Sequence, residues 1–266
     1  MLKMLKFFAI WYPAVGSVTS FFVLFGPIVF QKRELPLTNF VPDFPPYIFL
    51  YILQGYSFLI VYFSIIFFDI LFGTLLMMIV IQWKFLNRDI KRVLSSKIET
   101  RDDRKLFQRE VKKCIDYHIF LIDYVDRING TMFFSNLFFI AMSVITYCLE
   151  LFILLTFPPG DDFLIHITLL MGLTNEYLLF YVIPGQLLSI EAENTENSAF
   201  SSNWYESSTN LKKPMVNMIS NISRKSVNLT AAKLFDFTFE NALKSYKLVF
   251  SYYMFLKTMN IGQQEK

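Results

Sequence analysis

Residues Tyr47 to Trp83 read YIFLYILQGYSFLIVYFSIIFFDILFGTLLMMIVIQW, thirty-seven residues carrying one charge, Asp69. A helix needs about 20 mostly apolar residues to cross a hydrocarbon core about 30 Å thick. At 1.5 Å per residue this run makes a helix of roughly 55 Å, so it spans a bilayer and projects beyond it on one side. Four more segments share its character: Phe7–Phe30, Thr131–Phe157, Phe163–Ile190 and Phe235–Met259. Pro13, Gly16, Gly26 and Pro27 in the first are tolerable, because neighbouring helices re-satisfy the freed backbone. The expected fold is all-α, a polytopic helical membrane protein of about five transmembrane helices.

Composition agrees. Of 266 residues, 54% are apolar and 18% charged, against about 25% charged in soluble domains. The 31 Phe exceed what one core can hide, so many face lipid. The basic flank Met1–Lys6 precedes an apolar stretch too long for a signal-peptide core, with no small-residue cleavage site after it. Cys114 lies in a charged loop and Cys148 mid-span, which argues against a disulfide or a metal site. No glycine-rich phosphate loop, nucleophile elbow, metal-ligand spacing or acid–base pair suggests catalysis. Neither an enzyme nor a cofactor is expected.

Charge sets the orientation. Between Lys84 and Arg127 there are twelve Lys/Arg, whereas the loop 31–46 holds only Lys32 and Arg33. Basic loops stay cytoplasmic, so residues 84–130 form a cytoplasmic helical loop and 31–46 an extracellular one. With spans three and four in 131–190, residues 191–234 are again inside, carrying Lys212, Lys213, Arg224, Lys225 and Lys233. The N-terminus is then cytoplasmic, and the tail 260–266 is extracellular. The sequons at Asn129, Asn221 and Asn228 fall on the inner side, where no glycosylation is expected. Ile115, His118, Ile119, Ile122 and Val125 recur at helical spacing. Together with the overlong second span they suggest a helical platform beneath the membrane.

The fifth span is the most polar. Asp236, Glu240, Lys244, Lys247 and Ser251 recur at spacings of 4, 4, 3 and 4, one face of a helix. Charges at bilayer depth face water or one another, so the stripe suits the wall of an aqueous pore. A Glu240–Lys244 pair with lysine snorkelling from the inner end explains it as well. Asp69, Glu150, His166 and Glu176 are further intramembrane polar residues, each a ligand contact or an interhelical hydrogen bond.

The C-terminal third carries a resemblance. Ser198-x-Phe200-x-Ser202-x-Trp204-Tyr205 is followed by Lys212-Lys213 and by Asn228-Leu-Thr-Ala-Ala-Lys233. Leu243-Lys244-x-Tyr246 and Ser251-Tyr-Tyr-Met-Phe-Leu-Lys257 come next. In order and spacing these are similar to the C-terminal signature of insect odorant receptors: A-x-Y-x-S-x-W-Y, a basic pair, L-T-A-G-K-F and S-Y-S-Y-F-T-L-L-R. Upstream, Leu35-Pro36, Tyr51-x-x-Gln54, Asp69, Gln82 and Tyr117-His118 stand where that family has similar residues. Ala232 replaces the family's glycine and Phe200 its tyrosine.

The resemblance implies an odorant-gated, non-selective cation channel, a heterotetramer with a shared co-receptor subunit in the plasma membrane of olfactory sensory neurons. It implies a volatile small-molecule ligand and membrane lipid as partners, and no nucleic acid. The last helix, residues 235–259, would line the pore through Glu240, Lys244, Lys247 and Ser251. Trp204, Tyr205, Thr230 and Lys233 would make subunit or anchor contacts. The odorant would bind in the outer half against Phe22, Phe25, Tyr51, Gln54, Phe58, His166 and Leu170. The family has seven spans, and aligned from the C-terminus these five correspond to its third to seventh. A fragment of a longer receptor is therefore the expectation, with a shortened receptor the alternative. A G-protein-coupled receptor would reverse the termini, and a solute transporter would show paired repeats.

Overall fold

The computed structural model describes residues 10, 12–14, 16–18, 20–21, 23–25, 46–98, 100–156, 163–202, 216–217, 219–220 and 227–264. A short apolar helix α1 (Tyr12–Phe25) precedes α2 (Tyr47–Leu94), α3 (Arg101–Thr131) and α4 (Phe133–Thr156). Next come α5 (Phe163–Glu176), a π-helical turn Tyr177–Val182 and α6 (Ile183–Phe200). A hairpin of β1 (Thr230–Ala231) and β2 (Phe235–Asp236) leads into α7 (Phe239–Gln264).

Among the described residues, three helical stretches are long and apolar enough to cross a membrane: α2, α4 and the run Phe163–Phe200. The second span is longer than its apolar core, 48 residues or roughly 70 Å, as its sequence implies. Its N-terminal half exposes Phe49, Ile52, Tyr56, Phe63 and Phe67, the kind of surface that lipid covers.

The fifth span differs from expectation at its start. Phe235 and Asp236 are not helical; they pair antiparallel with Ala231 and Thr230. The Asp236 carboxylate accepts from Asn228 Nδ2 at 3.0 Å and its carbonyl from Asn241 Nδ2 at 3.1 Å. Thr238 Oγ1 then accepts from the Asn241 amide at 3.3 Å, an N-cap that starts α7 after the hairpin. Asp236 thus leaves the polar stripe, and Glu240, Lys244, Lys247 and Ser251 remain on it.

The π-helical turn has a local cause. Pro184 has no N–H to donate and its ring clashes with the carbonyl four residues back, so the regular ladder cannot pass through Phe180. The wider turn re-spaces the backbone just before it.

The chain forms two compact units, Met1–Thr74 with Ala141–Tyr181 and Leu243–Lys266, and Leu75–Ile140 with Val182–Ala242. The second unit holds a packed core. In α2 it buries Leu76, Val80, Trp83, Leu86, Ile90 and Leu94. α3 faces inward through Phe107, Val111, Cys114, His118, Leu121 and Val125, a stripe alternating steps of four and three. Ile119, which the sequence spacing put on that stripe, is instead 50% exposed. α3 begins with a capping box: Thr100 Oγ1 accepts from the Asp103 amide, and the Asp103 carboxylate from the Thr100 amide. Asn87 of α2 donates to the Glu191 carbonyl at 2.8 Å and accepts from Thr195 Oγ1 at 2.8 Å. Lys84 reaches the Glu191 carboxylate at 3.3 Å. Gly185 lets the backbone of Phe237 approach, since a Cβ there would lie 2.4 Å from the Phe237 carbonyl oxygen.

Candidate functional site

In the first unit α1, α2 and α5 enclose a cavity of about 220 Å³. Each helix contributes one face. α1 supplies Tyr12, Gly16 and Ser20 at steps of four; α2 supplies Phe58, Val61, Tyr62, Ile65 and Ile66; α5 supplies Leu169, Gly172, Leu173 and Glu176. Gly172 leaves part of this space open, and Gly16 admits the Tyr62 side chain close against α1. A Cβ on Gly16 would meet the Tyr62 hydroxyl oxygen at 2.7 Å, whereas one on Gly172 would meet nothing within 4 Å. Most of the wall is aliphatic or aromatic with a few polar atoms, the pattern of a site for small apolar molecules.

The polar side-chain atoms of the wall belong to Tyr12 and Ser20 of α1, Tyr62 of α2 and Glu176 of α5. Tyr12 Oη donates to the Asp69 carboxylate at 2.7 Å, with both residues buried. The Tyr12 ring stands edge-on to Phe180 at 4.6 Å. Ser17, Ser57, Ser64, Thr146, Thr168, Thr174 and Ser251 each donate to the carbonyl four residues back, the usual resort of hydroxyls in apolar helices. The buried Ser20 hydroxyl has no hydrogen-bond partner among the described residues.

Of the ligand contacts the sequence suggested, Phe58 lines this cavity, stacked on Tyr62 at 6.2 Å. Tyr51 donates to the Leu24 carbonyl, and Gln54 is half-buried one turn further along α2. Phe25 is exposed beside Phe21, with ring centroids 5.1 Å apart. His166 Nδ1 lies 2.8 Å from the Glu150 carboxylate. Leu170 packs on the cluster of Tyr147, Cys148 and Val249. Phe22 lies outside the described residues. Tyr12, Gly16, Ser20 and Gly172 line the cavity without having been expected there, whereas Glu176 was among the intramembrane polar residues expected as a ligand contact or an interhelical hydrogen bond. The repeat of small residues at Gly16 and Ser20 was the available signal.

α7 has two contrasting faces. Tyr246, Val249 and Tyr253, at steps of three and four, turn inward, Tyr246 edge-on to Tyr147 at 5.6 Å and to Tyr177 at 6.1 Å. Glu240, Lys244, Lys247 and Ser251 are exposed, and Lys257 Nζ lies 5.9 Å from the Tyr253 ring centroid. α7 falls short of the apolarity that marks the three membrane-length helices.

In the second unit Thr230 ties the hairpin to α3 and α4: its amide donates to Asn129 Oδ1 at 2.9 Å and its carbonyl accepts from Asn136 at 3.1 Å. Asn129 also donates to the Asn228 carbonyl at 2.9 Å, and Asn228 Oδ1 accepts from Ser189 at 2.6 Å, so two of the sequon side chains are engaged in the fold. Ala232 and exposed Lys233 form the turn at φ of 55° and 58°, the left-handed region that favours glycine. Trp204 and Tyr205 fall outside the described residues. His118 is fully buried beside Trp83, rings 5.0 Å apart, and burial pushes its imidazole down to about 4.

The family model described as 7tm Odorant receptor matches residues 1–249. The chain belongs to the odorant receptor family. Odorant receptor 98a of Drosophila melanogaster is 28% identical over 159 residues, 59% of this chain and 39% of that receptor. The chain therefore matches about two fifths of that relative's length. Among solved structures, the insect olfactory receptor OR5 from Machilis hrabei in complex with eugenol superposes with a TM-score of 0.81 at 14% identity. That match covers 97% of this chain and 67% of the other. A second structure of the same receptor gives 0.80 at 15%, covering 96% and 66%. At such identities the likeness is one of fold: this odorant receptor chain is an all-α membrane protein with the helical architecture of an insect olfactory receptor.

Proposed function

We propose that this odorant receptor chain forms a subunit of a ligand-gated, non-selective cation channel, assembled with a co-receptor subunit in the plasma membrane of olfactory sensory neurons. The cavity between α1, α2 and α5 receives a volatile small molecule. The observation that carries this reading is the apolar-walled 220 Å³ space lined by Gly16, Ser20 and Gly172 among others. Eugenol, bound by the similarly folded OR5, is a molecule of the same order of size. The exposed Glu240–Lys244–Lys247–Ser251 face of α7 supplies the pore wall. The second unit, with its buried Trp83–His118 core, is the cytoplasmic anchor, a reading that the basic residues between 84 and 130 support; the N-terminus is inside and the C-terminus outside. Trp204, Tyr205, Thr230 and Lys233 contribute anchor and subunit contacts.

Gly172→Leu separates binding from permeation. A Cβ there meets nothing within 4 Å and Gly172 lines the cavity, so a larger side chain should occupy the space while the fold survives. In cells co-expressing a co-receptor, Gly172→Leu should raise the half-maximal concentration of eugenol at least tenfold with the reversal potential unchanged. Lys247→Glu should do the reverse, shifting ion preference at constant ligand sensitivity. Equal eugenol responses in Gly172→Leu and the parent would refute the cavity as the ligand site.

A further inference from the structure

The polar atoms on the cavity wall are biased toward accepting hydrogen bonds. Tyr12 has spent its proton on Asp69 at 2.7 Å, so toward the cavity its oxygen offers only lone pairs. Glu176, half-buried on α5, presents a carboxyl group to the same space. Ser20, 7% exposed and on the same face of α1 as Tyr12, adds a hydroxyl without a partner among the described residues. The other nine lining residues, from Gly16 to Leu173, include no Lys, Arg or His, and the Tyr62 hydroxyl is drawn to the Pro13 carbonyl at 3.3 Å.

A wall of this kind selects by chemistry as well as by shape. Ketones, esters and ethers carry acceptors only: they would set lone pairs against those of Tyr12, and of the wall's hydroxyls only that of Ser20 could donate to them. An ammonium group carries donors only, and its charge stabilises the ionised form of a carboxyl group held away from water, where an uncompensated charge is costly. We infer that the cavity takes a small apolar amine in its protonated form, the hydrocarbon body against Phe58, Ile65 and Leu169 and the ammonium head against Glu176, Tyr12 and Ser20. The inference rests on the reading of this cavity as the ligand site and adds the class of ligand to it.

Phenethylamine and phenylacetaldehyde are suitable probes, equal in heavy-atom count and differing only in the polar end. Equilibrium binding to the purified chain in lipid nanodiscs, without any channel readout, should show phenethylamine tighter by at least tenfold. Glu176→Gln should abolish that preference, and Ser20→Ala should weaken the amine several-fold. N-Acetylphenethylamine, which has lost the charge, should bind the unaltered chain at least tenfold more weakly than phenethylamine, a comparison that needs no variant to fold. Phenylacetaldehyde binding as tightly as the amine, with Gly172→Leu displacing both, would overturn the amine assignment and leave the cavity standing. Binding of either probe that is indifferent to Gly172→Leu would overturn the cavity itself and the inference with it.

Discussion

Tyr12→Phe removes one oxygen from the hydrogen bond that joins α1 to α2 across 57 residues of sequence. The ring is kept, and with it the edge contact to Phe180 at 4.6 Å, so the change isolates the hydroxyl. Two magnitudes compete. Interhelical hydrogen bonds in membranes average only about 0.6 kcal/mol, because the unfolded reference also finds partners. Stranding a buried acceptor costs about 1–3 kcal/mol. Asp69 is 2% exposed and Tyr12 7%, so water cannot replace the lost donor, and the second effect should win with about 1.5 kcal/mol of destabilisation. Asp69→Leu alone strands the Tyr12 hydroxyl and costs about the same. The double variant strands neither, so its cost should fall short of the sum by at least about 1 kcal/mol. Reversible unfolding in mixed micelles titrated with sodium dodecyl sulfate measures all four proteins. A Tyr12→Phe variant within about 0.3 kcal/mol of the parent, or strict additivity in the cycle, would show that this bond does not hold the two helices together.

Two further outcomes concern the second unit. Ala232 sits at φ 55°, where an L side chain costs about 1–2 kcal/mol against about 0.5–1 for the extra chain entropy of glycine. Ala232→Gly should therefore raise stability by about 0.5 kcal/mol, seen as a higher thermal midpoint; a lower midpoint would sink the argument. His118, its imidazole pushed down to about 4 by burial, stays neutral in the folded chain while the unfolded chain takes up a proton near 6.5. Folding is then weakened as pH falls through 6.5 toward 4, by up to roughly 3 kcal/mol. His118→Phe should flatten that part of the pH–stability curve, and an unchanged slope would place the acid sensitivity elsewhere.

Much of the architecture was legible in residue order. An apolar run such as Tyr47–Trp83 has one way to satisfy its backbone in lipid, and the wide spacing of the charged stretches marked where helices leave the apolar region. The heptad of α3 was visible in outline, although Ile119 faces outward because the burial stripe runs through Cys114, His118 and Leu121. The start of α7 was not legible: Asp236 fits the helical period with Glu240, and only its bonds to Asn228 and Asn241 draw it into a hairpin.

The ligand site shows the same division. The sequence determined that this chain is a bundle of membrane helices, and its C-terminal motifs pointed to the family, because both are properties of local composition and order. Which residues share a cavity was decided by tertiary structure alone. Tyr12, Glu176 and Phe58 lie far apart in sequence, and their meeting depends on how helices α1, α2 and α5 rotate about their axes. That rotation is set by close packing at Gly16 and by the Tyr12–Asp69 bond, pairwise terms between distant positions that no periodicity within a single helix contains.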